Sequence, residues 1–235
     1  MSTTLDSTNA KLEEKFRDGG KQISNLQSYY RLHAMIYDAT RWAFLFGRTE
    51  VLRRMPDAAA LRAATGRADG EALRILEIGC GTGVNLAVLA RKYPEAQLTG
   101  VDLSADMLSK SRKKLAKYGD RLRLVEEPYA AGGQVGTDFD LILCSYSLSM
   151  INPQWADVLD QAAVDLRKGG IFAAVDFSDS RYASFRSHMG RNHVKVTGHL
   201  LPAMRERFTA ELDEERGVYL GWWKYLLFHG RKSAS

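Results

Sequence analysis

The run LRILEIGCGTG, residues 73–83, limits this chain's possible folds more than any other stretch. Large apolar residues at strand spacing break into Gly79, Gly81 and Gly83, and VNLAVLARKY follows at helical spacing. That order predicts a buried strand, a tight turn and a helix. The unit then repeats. QLTGVDLS reads as a second strand and ADMLSKSRKKLAKYG as its helix, RLRLVEE as a third strand, and FDLILCSYSLSMI as a fourth with its exit loop. WADVLDQAAVDLRKGG reads as a helix and IFAAVDFSD as a fifth strand. Alternating units of this kind require a mostly parallel sheet with helices on both faces, because a parallel connection has to cross the sheet.

The flanks are less regular. Residues 1–24 are polar and read as a flexible leader. Leu26, Tyr30, His33, Tyr37, Trp42 and Leu45 recur at helical spacing before Pro56, which predicts a helical cap over residues 25–56. The small-residue stretch DAAALRAATGRADGEA separates the cap from the first strand. After the fifth strand a mixed region leads to GVYLGWWKYLLFHGRK, which fits a closing strand or hairpin. The whole of residues 25–235 reads as one domain.

With 45% hydrophobic and 26% charged residues over 235 positions, the chain has enough apolar surface for one full core. No apolar run approaches the roughly 20 residues of a membrane-spanning helix. The N-terminus lacks a secretory pattern, so a cytoplasmic location is expected. Cys80 and Cys144 sit in apolar strand-like contexts and read as reduced, buried thiols, with no metal site expected. The net charge of +5 favours anionic surroundings without choosing among nucleic acid, lipid headgroups and acidic metabolites.

A dinucleotide-type loop needs a third glycine at position 84, where Val84 stands; the tighter GxGxG of Gly79, Gly81 and Gly83 points away from a pyrophosphate ligand. Asp102 ends the second strand, nineteen positions past Gly83, where a carboxylate accepts hydrogen bonds from a ribose diol. LEIGCGTG followed by VDLS at this distance resembles the class I methyltransferases that use S-adenosylmethionine (SAM), over roughly residues 73–176. The resemblance implies a Rossmann-like α/β fold with a seven-stranded, mostly parallel sheet. It also implies SAM as cofactor, held by Glu77, Gly79, Gly81, Gly83, Asp102, Leu103, Glu127 and Ser145. That fold often ends its third strand in an acidic residue near the adenine amine. Here the stretch is Glu126-Glu127-Pro128-Tyr129, so either carboxylate, or backbone with Tyr129 stacking on the ring, is a candidate for that contact.

YYRLHAMIYDATRWAFLFGR (residues 29–48), CSYSLSMI and WWKYLLFHGRK resemble the N-methyltransferases that make betaine lipids by trimethylating diacylglyceryl-homoserine. Bacterial phosphatidylethanolamine N-methyltransferases share a similar tyrosine-rich segment. This resemblance implies a lipid substrate with an amine headgroup and peripheral association with an anionic inner-membrane surface. The exit of the fourth strand lacks an Asn-Pro-Pro-Tyr motif, and basic residues are dispersed, so no nucleic-acid partner is expected.

A neutral amine must attack the sulfonium methyl in line, so an ammonium substrate first loses a proton. Tyr30, His33 and Tyr37 share a helix face, with His33 the candidate proton acceptor or else a structural histidine; Tyr30 and Tyr146 are the candidate orienting hydroxyls and Tyr37 lies on the substrate side. Arg41 and Arg48 are candidates for the homoserine carboxylate. Aromatic faces suit a quaternary nitrogen, which makes Trp222 and Trp223 candidates for the substrate site or a bilayer interface as well as for plain core packing. A soluble amine or other small acceptor, a SAM-sensing module and an RNA methyltransferase are the competing readings.

Overall fold

A computed structural model of the chain describes residues 45–129, 135–191 and 193–233. Seven strands form one sheet in the order β3-β2-β1-β4-β5-β7-β6. They are β1 (Arg74–Ile78), β2 (Gln97–Asp102), β3 (Leu122–Glu126), β4 (Phe139–Ser145), β5 (Leu166–Phe177), β6 (Thr209–Val218) and β7 (Trp223–Arg231). The first five are parallel, and β7 runs antiparallel to both β5 and β6. This is the Rossmann-like methyltransferase architecture expected from the sequence. The strand order reverses between β1 and β4, which opens a crevice at their carboxyl ends.

Period-two alternation sorts the strands' side chains onto two faces. Ile75, Leu141, Leu143, Ile171, Val175 and Leu227 pack on the face covered by α1 (Arg48–Arg53), α2 (Ala58–Thr65), α3 (Val84–Lys92) and α4 (Ala105–Leu115). Leu76, Ile78, Ile142, Cys144, Phe172 and Phe228 pack on the other, under α5 (Trp155–Asp165) and α7 (Leu200–Arg207). Glu77 therefore points to the α1–α3 face while both its neighbours point away. A further helix, α6 (Ala183–Arg191), has no fully buried residue.

Three features depart from the sequence reading. The helix expected through WADVLDQAAVDLRKGG stops at Asp165, and LRKGG is already β5. Tertiary contacts hold it extended: the Arg167 guanidinium donates to Thr65 O at 2.8 Å and to Asp138 Oδ2 at 3.0 Å, and a Cβ at Gly169 would run into the Ala64 carbonyl. Second, the small-residue stretch forms α2, started by Asp57, whose Oδ1 accepts from Ala60 N at 2.8 Å. Third, the charge-rich TAELDEERGV is the edge strand β6, where charged side chains discourage pairing with another chain. The leader over residues 1–24, and the cap as far as residue 44, lie outside the described residues.

Asp140, fully buried, accepts from Arg67 Nε at 3.1 and 3.2 Å and from Arg74 N at 2.7 Å, which joins the end of α2 to β1 and β4. Removing one partner strands a buried charge, so Asp140→Ala is expected to cost about 3–5 kcal/mol in denaturant unfolding.

His229 on β7 is buried, with Nε2 3.1 Å from Val51 O, and this contact ties α1 to the sheet. Burial pushes its imidazole down to about 4, from 6.5. Between those two values the unfolded chain takes a proton that the folded chain resists, so stability falls on acidification through this window. His229→Gln, whose amide can still donate to Val51 O, is expected to lose up to one proton's worth of that slope, about 1.4 kcal/mol per pH unit, in urea titrations at successive pH values.

Candidate functional site

The loop after β1 lies at the crevice. Gly79 N and Cys80 N donate to Val101 O at 2.8 and 3.0 Å, which turns the chain sharply over the end of β2. Gly79, Gly81 and Gly83 all have positive φ, of 70°, 52° and 73°. A Cβ at Gly79 would lie 2.6 Å from Ser147 Cβ, and one at Gly83 2.7 Å from Leu115 Cδ1. A Cβ at Gly81 meets nothing within 4 Å, because that position faces open space. Two of the glycines thus permit close packing, and the third keeps backbone accessible to a ligand.

Asp102 holds this loop. Its Oδ2 accepts from Gly81 N at 2.8 Å and its Oδ1 from Ser104 N at 2.9 Å. Burial raises its carboxyl above its ordinary value, and the backbone donors work against that shift. A carboxylate has about four acceptor positions, so two remain for a diol. Leu103 is half-buried beside it, and Ser104 caps α4 by accepting from Met107 N.

Glu77 is buried and accepts from Asn85 Nδ2 at 2.7 Å, and Asn85 Oδ1 in turn accepts from Arg48 Nη2 at 2.8 Å. The structure thus places Arg48 on the cofactor side of the site, where it braces Asn85 and Glu77. Asn85 escaped sequence reasoning; its position directly after the glycine loop, in the first turn of an apolar helix face, was the available signal.

At the end of β3, Glu126 pairs in register with Asp102 and is exposed, and Glu127 follows it half-buried. Tyr129 does not stack over a cofactor position. It is buried in the core, and its hydroxyl donates to Asp165 Oδ2 at 2.7 Å.

The β4 exit completes the crevice. Ser145 Oγ is buried and has no hydrogen-bond partner among the described residues, which leaves a polar atom for a ligand. Tyr146 is buried with φ of 55°, a costly conformation for a bulky residue, and its hydroxyl donates to Phe46 O at 2.7 Å. Its ring meets Phe177 edge-on at 4.9 Å. Asp176, fully buried at the end of β5, accepts from Ser149 N at 3.2 Å and from Phe177 N at 2.8 Å, and so anchors the exit turn. Burial pushes its carboxyl up to about 6. Sequence reasoning passed over Asp176, although a lone carboxylate inside IFAAVDF was its signal.

The two tryptophans separate. Trp223 is buried, stacked on Phe185 at 5.5 Å and close to Phe46 at 6.3 Å. Trp222 is 52% exposed at the β6–β7 turn. Tyr30, His33, Tyr37 and Arg41 lie outside the described residues. Cys80 and Cys144 are free and buried, and burial raises both thiols above their ordinary range. Among the described residues no group of three metal-ligating side chains occurs.

The residues fit SAM. Backbone at Gly81 is open to a ligand, Asp102 has acceptors left for a ribose diol, Glu77 and Asn85 lie beside the loop for an amine, and Ser145 Oγ lacks a partner. The fold and this crevice define a methyltransferase-type α/β domain.

Comparison with known proteins agrees: residues 75–170 match the methyltransferase-domain family. The chain is 31% identical over 121 residues to the malonyl-[acyl-carrier protein] O-methyltransferase of Geobacter sulfurreducens, covering 50% of this chain and 43% of that protein. It is 28% identical over 139 residues to the trans-aconitate 2-methyltransferase of Deinococcus radiodurans, covering 59% and 46%. The matched part is thus less than half the length of either relative. Among solved structures, the 1,6-didemethyltoxoflavin-N1-methyltransferase of Burkholderia thailandensis superposes with a TM-score of 0.63 at 18% identity, over 93% of this chain and 90% of that one. That likeness establishes the fold.

Asp102→Ala removes both the loop clamp and the diol acceptor, and is expected to weaken SAM binding in calorimetry by about a hundredfold, since two hydrogen bonds to a charged group are lost. Gly79→Ala drives a Cβ into Ser147 and is expected to weaken it comparably, whereas Glu126→Gln at the exposed β3 end should change it less than about threefold.

Proposed function

We propose that this chain is a SAM-dependent N-methyltransferase that methylates the amine headgroup of a membrane lipid, successively and up to the trimethylated betaine when the acceptor is diacylglyceryl-homoserine. The observation that carries the reading is the aromatic wall at the carboxyl edge beside the β4 exit. Tyr146 and Phe177 meet edge-on at 4.9 Å, and Phe46 packs on Trp223 at 6.3 Å and on Tyr225 at 6.3 Å. An amine that gains methyls ends as a fixed cation without a hydrogen to donate, and aromatic faces attract such a cation. The resemblance of residues 29–48, of CSYSLSMI and of WWKYLLFHGRK to betaine-lipid enzymes supports the same acceptor.

SAM, when bound, supplies an electrophilic methyl on a sulfonium. The chain's own residues position and exclude. Gly79, Gly81 and Gly83 shape the loop, Asp102 holds it, and Glu77 with Asn85 and Arg48 forms the polar side. Tyr146 carries its hydroxyl to the segment before α1, which fixes the distance between the crevice and that segment. The deprotonation step falls to His33 as the sequence reading has it, a residue outside those the structure describes. A diacyl substrate is held in its bilayer by about 0.8 kcal/mol per buried methylene, so the enzyme acts at the membrane surface, peripherally and from the cytoplasmic side.

A second reading is favoured by the two curated relatives, one of which carries an O-methyltransferase name. On that reading the acceptor is a small carboxylate, which needs no deprotonating base at neutral pH.

Purified enzyme with methyl-labelled SAM and mixed micelles of diacylglyceryl-homoserine is expected to add one, two and then three methyls by mass spectrometry. Labelling of phosphatidylethanolamine alone would change the headgroup. Labelling of a carboxylate acceptor in place of any amine lipid would establish the second reading. Tyr146→Phe, which breaks the bond to Phe46 O, is expected to lower kcat by about tenfold or more, with SAM affinity nearly unchanged.

A further inference from the structure

Among the described residues, the β6–β7 turn is the least covered apolar feature. Leu220 at its apex is 97% exposed, with Tyr219 at 54%, Trp222 at 52% and Tyr182 at 42% beside it. This tip is built rather than loose. Gly221 N and Trp222 N donate to Val218 O at 3.0 and 2.9 Å, Ser180 Oγ donates to Trp222 O at 2.6 Å, and Lys224 N donates to Asp179 O at 2.7 Å. Tyr219, Leu220 and Gly221 all take positive φ, which turns the chain back sharply enough to leave the leucine at the apex.

Its place in the fold gives it a direction. Phe177 closes β5 opposite Tyr225, and Val218 pairs with Trp223, so the tip projects beyond the carboxyl edge of β5. The glycine loop and Tyr146 lie on that same edge. Next to the tip, residues 181–195 hold Arg181, Arg186, Arg191 and Lys195 and no aspartate or glutamate, with Asp179 just before them 3.8 Å from Arg186. The two are joined, because Tyr182 meets Trp222 at 6.4 Å and Phe185 of α6 stacks on Trp223 at 5.5 Å. Arg181 lies over the Tyr182 ring at 4.8 Å.

We propose that the β6–β7 tip and the adjoining basic segment dock the enzyme on an anionic bilayer, with Leu220 inserted among the acyl chains, Trp222, Tyr219 and Tyr182 at headgroup level and Arg181 and Arg191 on lipid phosphates. Tyrosine and tryptophan prefer that depth because one end of each is apolar and the other polar, and basic side chains near the surface add attraction to anionic lipid. Docking in this pose turns the carboxyl edge toward the membrane, so a headgroup reaches the crevice while its acyl chains stay in lipid. The inference rests on the lipid-acceptor reading above and adds the surface that serves it.

The test uses the full chain with phosphatidylcholine vesicles with and without phosphatidylglycerol, read by sedimentation and by blue shift of tryptophan emission. Binding is expected to require phosphatidylglycerol and to weaken with salt. Leu220→Asn, which tolerates the left-handed backbone, is expected to weaken it about tenfold, the loss of one inserted leucine, and Arg191→Glu to weaken it and flatten its salt dependence. Both variants should keep wild-type turnover on a short-chain, water-soluble homoserine-lipid analogue. Wild type that ignores phosphatidylglycerol vesicles, or variants that bind as wild type does, would overturn the proposal. So would a concentration-dependent dimer that Leu220→Asn dissolves while vesicle binding persists. If docking behaves as expected but no amine lipid is methylated, the acceptor reading fails and the docking surface stands.

Discussion

The contact between the loop after β1 and the exit of β4 is the constraint on which the site depends. Gly79 comes so near Ser147 that any side chain at position 79 would collide with it. Two neighbouring parallel strands therefore end in turns that touch, and the crevice between them has a fixed width. Asp102 from β2 reinforces this from the opposite side by accepting from Gly81 N, and Asp176 from β5 does so by accepting from Ser149 N. Four adjacent strands each contribute to one rim. Such a rim restricts where a cofactor's methyl can sit, as in-line transfer demands.

Two of these supports are buried carboxylates whose neighbours are backbone N–H groups rather than cations. A carboxylate of that kind is costly to ionise, which is why Asp176 and Asp102 both shift upward. Placing such groups at the rim orients backbone dipoles around it. Arg48 reaches the site through Asn85, and Lys114 Nζ lies 3.5 Å from Thr82 Oγ1 in the loop. The Arg48 charge is thus buffered by an amide and a carboxylate.

The sheet and the cofactor loop were legible because their signals are local. A buried parallel strand reads as an apolar run, a close backbone approach reads as glycine, and the two occur within a dozen residues. What sequence missed depends on distant partners. The LRKGG segment reads as a helix end with a glycine stop, yet Arg167 finds Asp138 and Thr65, and Gly169 packs on α2, so it becomes strand. β6 has no apolar alternation over its charged half because one edge faces solvent, which removes the signal that strands are read by. Tyr129 looked like a stacking residue next to two glutamates; its partner, Asp165, lies 36 positions away and pulls it into the core.

The division between what the family match covers and what it leaves also orders the chemistry. Residues 75–170 end inside β5, so the match takes in the glycine loop, Asp102 and the β4 exit. It leaves out Phe46, Arg48, Phe177 and the whole β6–β7 hairpin. These outer residues carry the aromatic wall and the exposed tip. A cofactor common to many methyltransferases needs the same rim in each, whereas the acceptor differs, so selection for an acceptor acts on the flanks. In this chain the flanks bring aromatic rings, a buried tyrosine hydroxyl spent on Phe46 O and the exposed β6–β7 tip to one edge of the sheet.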